Sequence, residues 1–277
     1  NLLLSEEDQF VQYRNLFVLE ENSSADVVIC DHSLVSKNFF TNTVTEIAVA
    51  ENAKLEFTKM QNEHNDCTKL AHIFVNQKRN SLVNSNIITL NGGAVRNNLH
   101  VSLEGEGAEN KSHGLFLTDK NQHVDSFTYV DHKVPNCTST QLYKGILDDG
   151  STGAFTGRIH VHPNAQKTIA YQRNSNLLLT DTAKMNTKPQ LEIYADDVKC
   201  THGATVGQLD EEAMFYLRSR GIARPEARLL LMFAFADEVT NTISILPLRE
   251  RIDELVGKRL RGESTRCQNC AIHCRCG

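Results

Sequence analysis

The feature that most constrains this chain is a β texture that never gives way to a helical period from Asn15 to about Val206. Short alternating runs follow one another, among them NLFVLE, ADVVIC, EIAVA, KLEFTKM, IITL, LHVSL, GLFL, RIHVH, NLLL and QLEIY. Many share one arrangement: a run, then Asn, Gly or Asp, then a small Ala, then polar residues before the next run. EIAVAENAKLEF, LHVSLEGEGAEN, RIHVHPNAQKTIAY and NLLLTDTAKMN all show it. Ala53, Ala108, Ala165 and Ala183 would sit at tight corners between stacked layers, where a larger side chain would collide with the next layer. A weak repeat of this kind predicts a mainly β fold, a β-solenoid. The competing β-sandwich is disfavoured because the region is long and lacks two-residue hairpin turns such as Asn-Gly.

The texture changes at Leu209. Asp210 is placed to cap EEAMFYLRSRG, and Gly221 to stop it. ARPEARLLLMFAFADEVTNTI follows, with Pro225 in its first turn and apolar residues around most of its circumference, so it should be buried by neighbours. Pro247 opens a third helix, in which Leu248, Ile252, Leu255, Val256 and Leu260 fall at helical spacing. The expected organisation is a β core over 1–208, a helical unit over 209–260 packed on the end of the β region, and a cysteine-rich tail over 261–277.

Of the 277 residues, 40% are apolar, enough for a sizeable core. The formal charge of -5 provides no bulk basic field, so no nucleic-acid partner is expected. No apolar run approaches the ~20 residues of a membrane span, and no signal-peptide pattern opens the chain; a soluble, cytoplasmic protein without a membrane partner is expected. The distribution of its cysteines is that of reduced thiols, not of a disulfide framework. Asn1 in place of Met, followed almost at once by strand-like sequence, suggests an N-terminal truncation.

Cys200 and His202 lie two apart in a strand-like run and would share a face. Together they could ligate iron or zinc; alternatively, Cys200 fills a core and His202 is a hydrogen-bonded core residue. Cys267, Cys270, Cys274 and Cys276, with His273 among them, have metal-ligand spacing for zinc, iron or a cluster, although a mobile reduced tail fits the same residues. His160 and His162 resemble paired ligands, but strand alternation readily produces such pairs, and they are read as solvated-face residues. DDGSTGAFTG lacks the residues that complete a phosphate or calcium loop and reads as a turn. No Ser, His and Asp set has a nucleophile-elbow context.

The run NTKPQLEIYADDVKCTHGATVGQLDEEAMFYLRSRGI, from Asn186 to Ile222, together with NAQKT, NLLL, EVTNTI and LRERIDELVGKRL, resembles the SufB/SufD family of the SUF iron-sulfur cluster assembly system. The resemblance covers residues 15 to 260. It lies on the SufD side, since NLLLTDTAKMN lacks the cysteine that the SufB branch carries there. Ile169 and Asn186 stand where the family often has Asp, the cysteine tail has no known family role, and the family's usual N-terminal helical region is missing. The resemblance implies a right-handed parallel β-helix with a C-terminal helical domain and no enzyme activity of its own. It further implies pairing with SufB through the β-helix and binding of the ATPase SufC through the helical domain, with a homodimer conceivable in isolation. It makes His202, with Cys200 beside it, the residue that handles a transient iron-sulfur cluster at the SufB interface, and it implies that the terminal strands around Tyr194 to Val206 join the partner. Two readings from other classes compete: a carbohydrate-active enzyme on a β-solenoid, poorly served by 6% aromatic residues and no Trp, and a stand-alone metal-binding protein using the cysteine tail.

Overall fold

The computed structural model describes residues 2–4, 8–33, 38–263 and 265. In chain order the strands are β1 (Leu2–Leu4), β2 (Gln9–Leu19), β3 (Ser24–Ser33), β4 (Phe39–Val49), β5 (Lys54–Asn62), β6 (Thr68–Gln77), β7 (Leu82–Asn91) and β8 (Ala94–Leu103). They continue as β9 (Glu109–Thr118), β10 (His123–His132), β11 (Thr138–Leu147), β12 (Thr152–Val161), β13 (Ile169–Leu178), β14 (Lys184–Ile193) and β15 (Lys199–Gly207). Odd strands form one eight-stranded sheet and even strands one seven-stranded sheet, each in chain order. Every pairing is parallel. Each turn of the solenoid therefore gives one strand to each sheet, as the repeat predicts, and a hairpin-linked sandwich is ruled out.

The corners explain the repeat. Asn22, Asn52, Asn80 and Asn136 have left-handed backbones (φ 59, 59, 54 and 61°), a conformation Asn tolerates better than most residues. The Asn side chains stack from turn to turn: Asn80 Nδ2 donates to Asn52 Oδ1, and Asn52 Nδ2 to Asn22 Oδ1, both at 3.2 Å. Gly107 takes the next position with φ 73°, and a Cβ there would come within 2.4 Å of Asn80 Oδ1. Ala53, Ala108, Ala165 and Ala183 are all buried at their corners, as expected.

Alternate residues of each strand point between the sheets, where Ile47, Leu55, Phe57, Ile73, Leu99 and Val130 belong to one apolar core. The three helices are α1 (Glu211–Ser219), α2 (Arg224–Thr240) and α3 (Leu246–Leu260). Asp210 caps α1, accepting from Glu212 N and Ala213 N.

The helices do not stack on the end of the solenoid, where the sequence suggested them. They lie across the outer face of the eight-stranded sheet: α2 touches β9 and β11, and α3 touches β7. The cause is apolar residues on outward positions of those strands. Ile88, Leu90, Leu115, Leu117, Leu142 and Ile146 form one buried cluster with Met232, Val239, Ile252 and Leu255 of the helices. Polar ties fix the register. Arg259 grips Asp119 with two nitrogens, at 2.6 and 2.8 Å, and donates to Leu90 O at 2.8 Å. Thr242 donates to Asn86 Oδ1 at 2.6 Å, and its carbonyl accepts from Asn84 at 3.0 Å. Among the described residues, no helix is long and apolar enough to cross a membrane.

Candidate functional site at the last turn of the solenoid

Among the described residues, β14 and β15 are the last strands of their sheets, and each pairs on one side only. The residues between them are not strand. Tyr194 to Val198 form the corner from one sheet to the other, where Ala195 is buried, so the terminal strand expected from Tyr194 starts only at Lys199. A proline at Val198 would therefore remove no ladder bond.

Cys200 and His202 do share a face. In register, Cys200 follows Ala170 and His202 follows Gln172, both of them buried residues of the row that points between the sheets. With no further turn among the described residues to cover this row, Cys200 is half-buried and His202 exposed. Cys200 packs beside Ile159, Val161, Ala165 and Ala170, and burial pushes its thiol pKa up. A thiol kept protonated is a poor metal ligand.

The row leading to His202 is polar. Thr128 donates to Gln141 Oε1 at 2.7 Å and Gln172 Nε2 to the same oxygen at 3.3 Å, while the buried Gln172 Oε1 has no partner among the described residues. Ile193, Tyr194 and Val206 leave apolar surface exposed beside the two edges. On the other side of β15, a Cβ at Gly203 would meet nothing within 4 Å, so no helix packs over this position. Unpaired parallel edges flanked by apolar side chains are a template for further strands.

The interior also holds a charged cluster that the sequence reading missed. Lys59 and Lys69, 0% and 1% exposed, face Asp31 and Glu63 inside the early turns. Lys69 Nζ meets Glu63 at 3.0 Å and contacts Asp31; Lys59 Nζ lies 3.7 Å from Asp31 and 3.3 Å from Thr43 Oγ1, and Tyr13 donates to Asp31 at 3.2 Å. Burial pushes the Lys59 ammonium down to about 8. Burial alone would raise the Asp31 carboxyl, but Lys69 and Lys59 together hold it below the ordinary range. The signal was available in strict alternation: Leu55, Phe57, Lys59 and Gln61 occupy one face of β5, as Lys69, Ala71, Ile73 and Val75 do of β6.

Other singled-out residues lie elsewhere. Cys267, Cys270, Cys274 and Cys276 are outside the described residues. Asp148 to Ser151 is a turn closed by Ser151, as read, and DDGSTGAFTG then runs on into β12. His160 and His162 are not simply solvated: they meet Asp131 on the outer face of the seven-stranded sheet. A cleft of about 630 Å³ opens between the helices and the eight-stranded sheet, lined by Asp119, Asp148, Arg228 and Arg259 among others, and includes neither Cys200 nor His202.

A family model described as SUF system FeS cluster assembly, SufBD core domain, matches residues 2–235. The chain is 37% identical over 257 residues to the iron-sulfur cluster assembly protein SufD of Escherichia coli, covering 93% of this chain and 61% of that protein. It is 34% identical over 259 residues to an iron-sulfur cluster assembly SufBD family protein of Synechocystis, covering 90% and 57%. With the chloroplastic protein ABCI7 of Arabidopsis thaliana the identity is 35% over 219 residues, covering 78% and 45%. The chain thus spans roughly half to three fifths of the length of these relatives.

Proposed function

We propose, from the premise that this chain belongs to the SufBD family of the SUF iron-sulfur cluster assembly system, that it is a SufD-type, non-catalytic scaffold subunit that handles a nascent cluster at the last turn of its solenoid. The observation that carries this reading is the pair of unpaired edges, β14 and β15, with His202 exposed on the row between them. A second solenoid, of the SufB kind, adds its strands to those edges and buries Ile193, Tyr194 and Val206. His202 then lies in the interface, where its imidazole can hold iron of the cluster, which is cargo and not a resident cofactor. Cys200 is auxiliary, because its packed thiol pKa is raised. The same edges allow two copies of this chain to pair when the partner is absent.

The helical unit is proposed to dock the ATPase SufC. Phe215 and Tyr216 of α1 and Leu246 of α3 are exposed apolar residues on a unit that packs on the sheet through α2 and α3. Removing all three helices would uncover that sheet face, so Phe215→Ala with Tyr216→Ala is the cleaner probe of ATPase binding.

The test of the site is His202→Ala in the full-length protein, co-purified anaerobically with its SufB-type partner and ATPase. The heterodimer should persist by size-exclusion chromatography while the yield of reconstituted cluster drops about tenfold, a loss of the order seen when groups supporting a metal site are removed. An unchanged yield, or a variant whose only defect is unfolding, would return His202 to the role of an ordinary edge residue.

A further inference from the structure

We infer that Asp131, His160 and His162 form a binding site for one divalent first-row transition-metal ion on the outer face of the seven-stranded sheet. β10 and β12 pair with Asp131 directly opposite His160. His162 follows two residues after His160, just past the end of β12, with its N bonded to His132 O at 3.0 Å, so both imidazoles lie on the same face as the carboxylate. His160 Nδ1 lies 3.0 Å and His162 Nε2 2.9 Å from Asp131 Oδ1, with the ring centroids 4.3 Å apart. All three ligand atoms fall within 4.8 Å of one another. Bonds of ~2.0–2.2 Å to a common ion put neighbouring ligands roughly 3–3.5 Å apart, so small side-chain rotations suffice to seat one.

Two imidazoles and one carboxylate on one side of an ion leave further positions open, as in zinc and non-haem iron(II) centres. Magnesium and calcium prefer all-oxygen shells and suit the set poorly. The surroundings hold the ligands in place. Asp131 is only 9% exposed, Tyr129 Oη lies 3.1 Å from His160 Nδ1, and Tyr194 meets the His160 ring edge-on at 5.5 Å. Once a metal occupies Nδ1, the Tyr129 hydroxyl is free to donate to the carboxylate, the outer support that metal-bound carboxylates commonly have. The neighbouring cations are directed elsewhere. Lys133 Nζ is 4.0 Å from Asp131 Oδ2, the oxygen facing away from the imidazoles, and bonds Glu104 at 3.0 Å; Arg158 is tied to Glu192.

The site is on an outer face, whereas His202 belongs to the inner row, so the two readings stand or fall separately. The test is a Co²⁺ titration of the full chain carrying Cys267, Cys270, Cys274 and Cys276→Ser, which removes thiolate competition. One equivalent should bind, with visible ligand-field bands, no thiolate charge-transfer band, and no competition from excess Mg²⁺. His160→Ala with His162→Ala should weaken binding by more than ~100-fold, beyond the usual loss of an outer partner, while His123→Ala on the same face should leave it unchanged. If the double variant does not fold, Zn²⁺ protection of His160 and His162 from diethylpyrocarbonate, mapped by mass spectrometry on the otherwise unaltered full chain, gives the same answer. Equal Co²⁺ binding with and without the two histidines, binding only when the tail cysteines are present, or failure of Zn²⁺ to protect the two rings would each overturn the assignment.

Discussion

On β7, β9 and β11 the outward positions Ile88, Leu90, Leu115, Leu117, Leu142 and Ile146 are buried under the helices. On β2 the outward positions Leu16 and Val18 are 66% and 64% exposed, and on β6 Phe74 is exposed as well. These two outer faces of one solenoid share strand geometry and pairing but differ in surroundings. The covered face reads as continuous apolar sequence, IITL and GLFL, because both sides of those strands are buried. The bare face instead carries ion pairs across neighbouring strands, Arg14 with Glu46, Arg96 with Asp125 and Arg158 with Glu192, and rings that stack, such as Phe10 on Phe40 at 4.9 Å. The outward row thus differs with what covers it: buried aliphatics under the helices, and mainly ion pairs and stacked rings on the other face, where Leu16 and Val18 are left exposed.

The contrast can be broken most forcefully from the covered side. Ile88→Ala should cost about 2–4 kcal/mol, because the cavity opens in a core shared by sheet and helices. Urea unfolding should then show one transition for helical and strand signals alike. A loss under ~1 kcal/mol, or separate transitions, would mean that the helices are loosely laid on the sheet.

A smaller effect is expected at the edge of the same contact. Arg259→Ala should cost about 1–2 kcal/mol, since Asp119 loses two charge-assisted bonds at a half-buried position. Those Arg259 bonds hold the Asp119 carboxyl below its ordinary range. A depressed carboxyl pKa stabilises above the unfolded value of about 4 and loses that contribution as pH falls through the lower folded value. The difference between the parent chain and Arg259→Ala should therefore be full at neutral pH and shrink in acid. A gap that stayed constant down to about pH 2 would assign it to packing instead.

The smallest effect belongs to the bare face. Val18→Ala should change stability by no more than ~0.5 kcal/mol, and Arg14→Ala by a similar amount, because exposed apolar groups and exposed ion pairs contribute little. A concentration-dependent loss above ~1 kcal/mol in either variant would show that this face, too, is covered in solution, by another molecule.

Much of the architecture was legible because it rests on local rules. The period-two alternation, the small residue after a left-handed Asn or Gly, the Asp210 cap and the prolines in the first turns of α2 and α3 each act within a few residues, so the sequence alone sufficed for a solenoid followed by three helices. Cys200 and His202 could be placed on one face for the same reason. Tertiary structure decided whatever depends on residues a full turn or more apart. It laid the helices across the sheet and not on its end, because outward aliphatics on three non-adjacent stretches of sequence become one surface only when β7, β9 and β11 are stacked. It buried Lys59 and Lys69 opposite Asp31 and Glu63, and it brought Asp131 to His160 and His162. Alternation tells which way a side chain points, but only the register between turns determines what it meets, and that register is set by corners distributed along the whole chain.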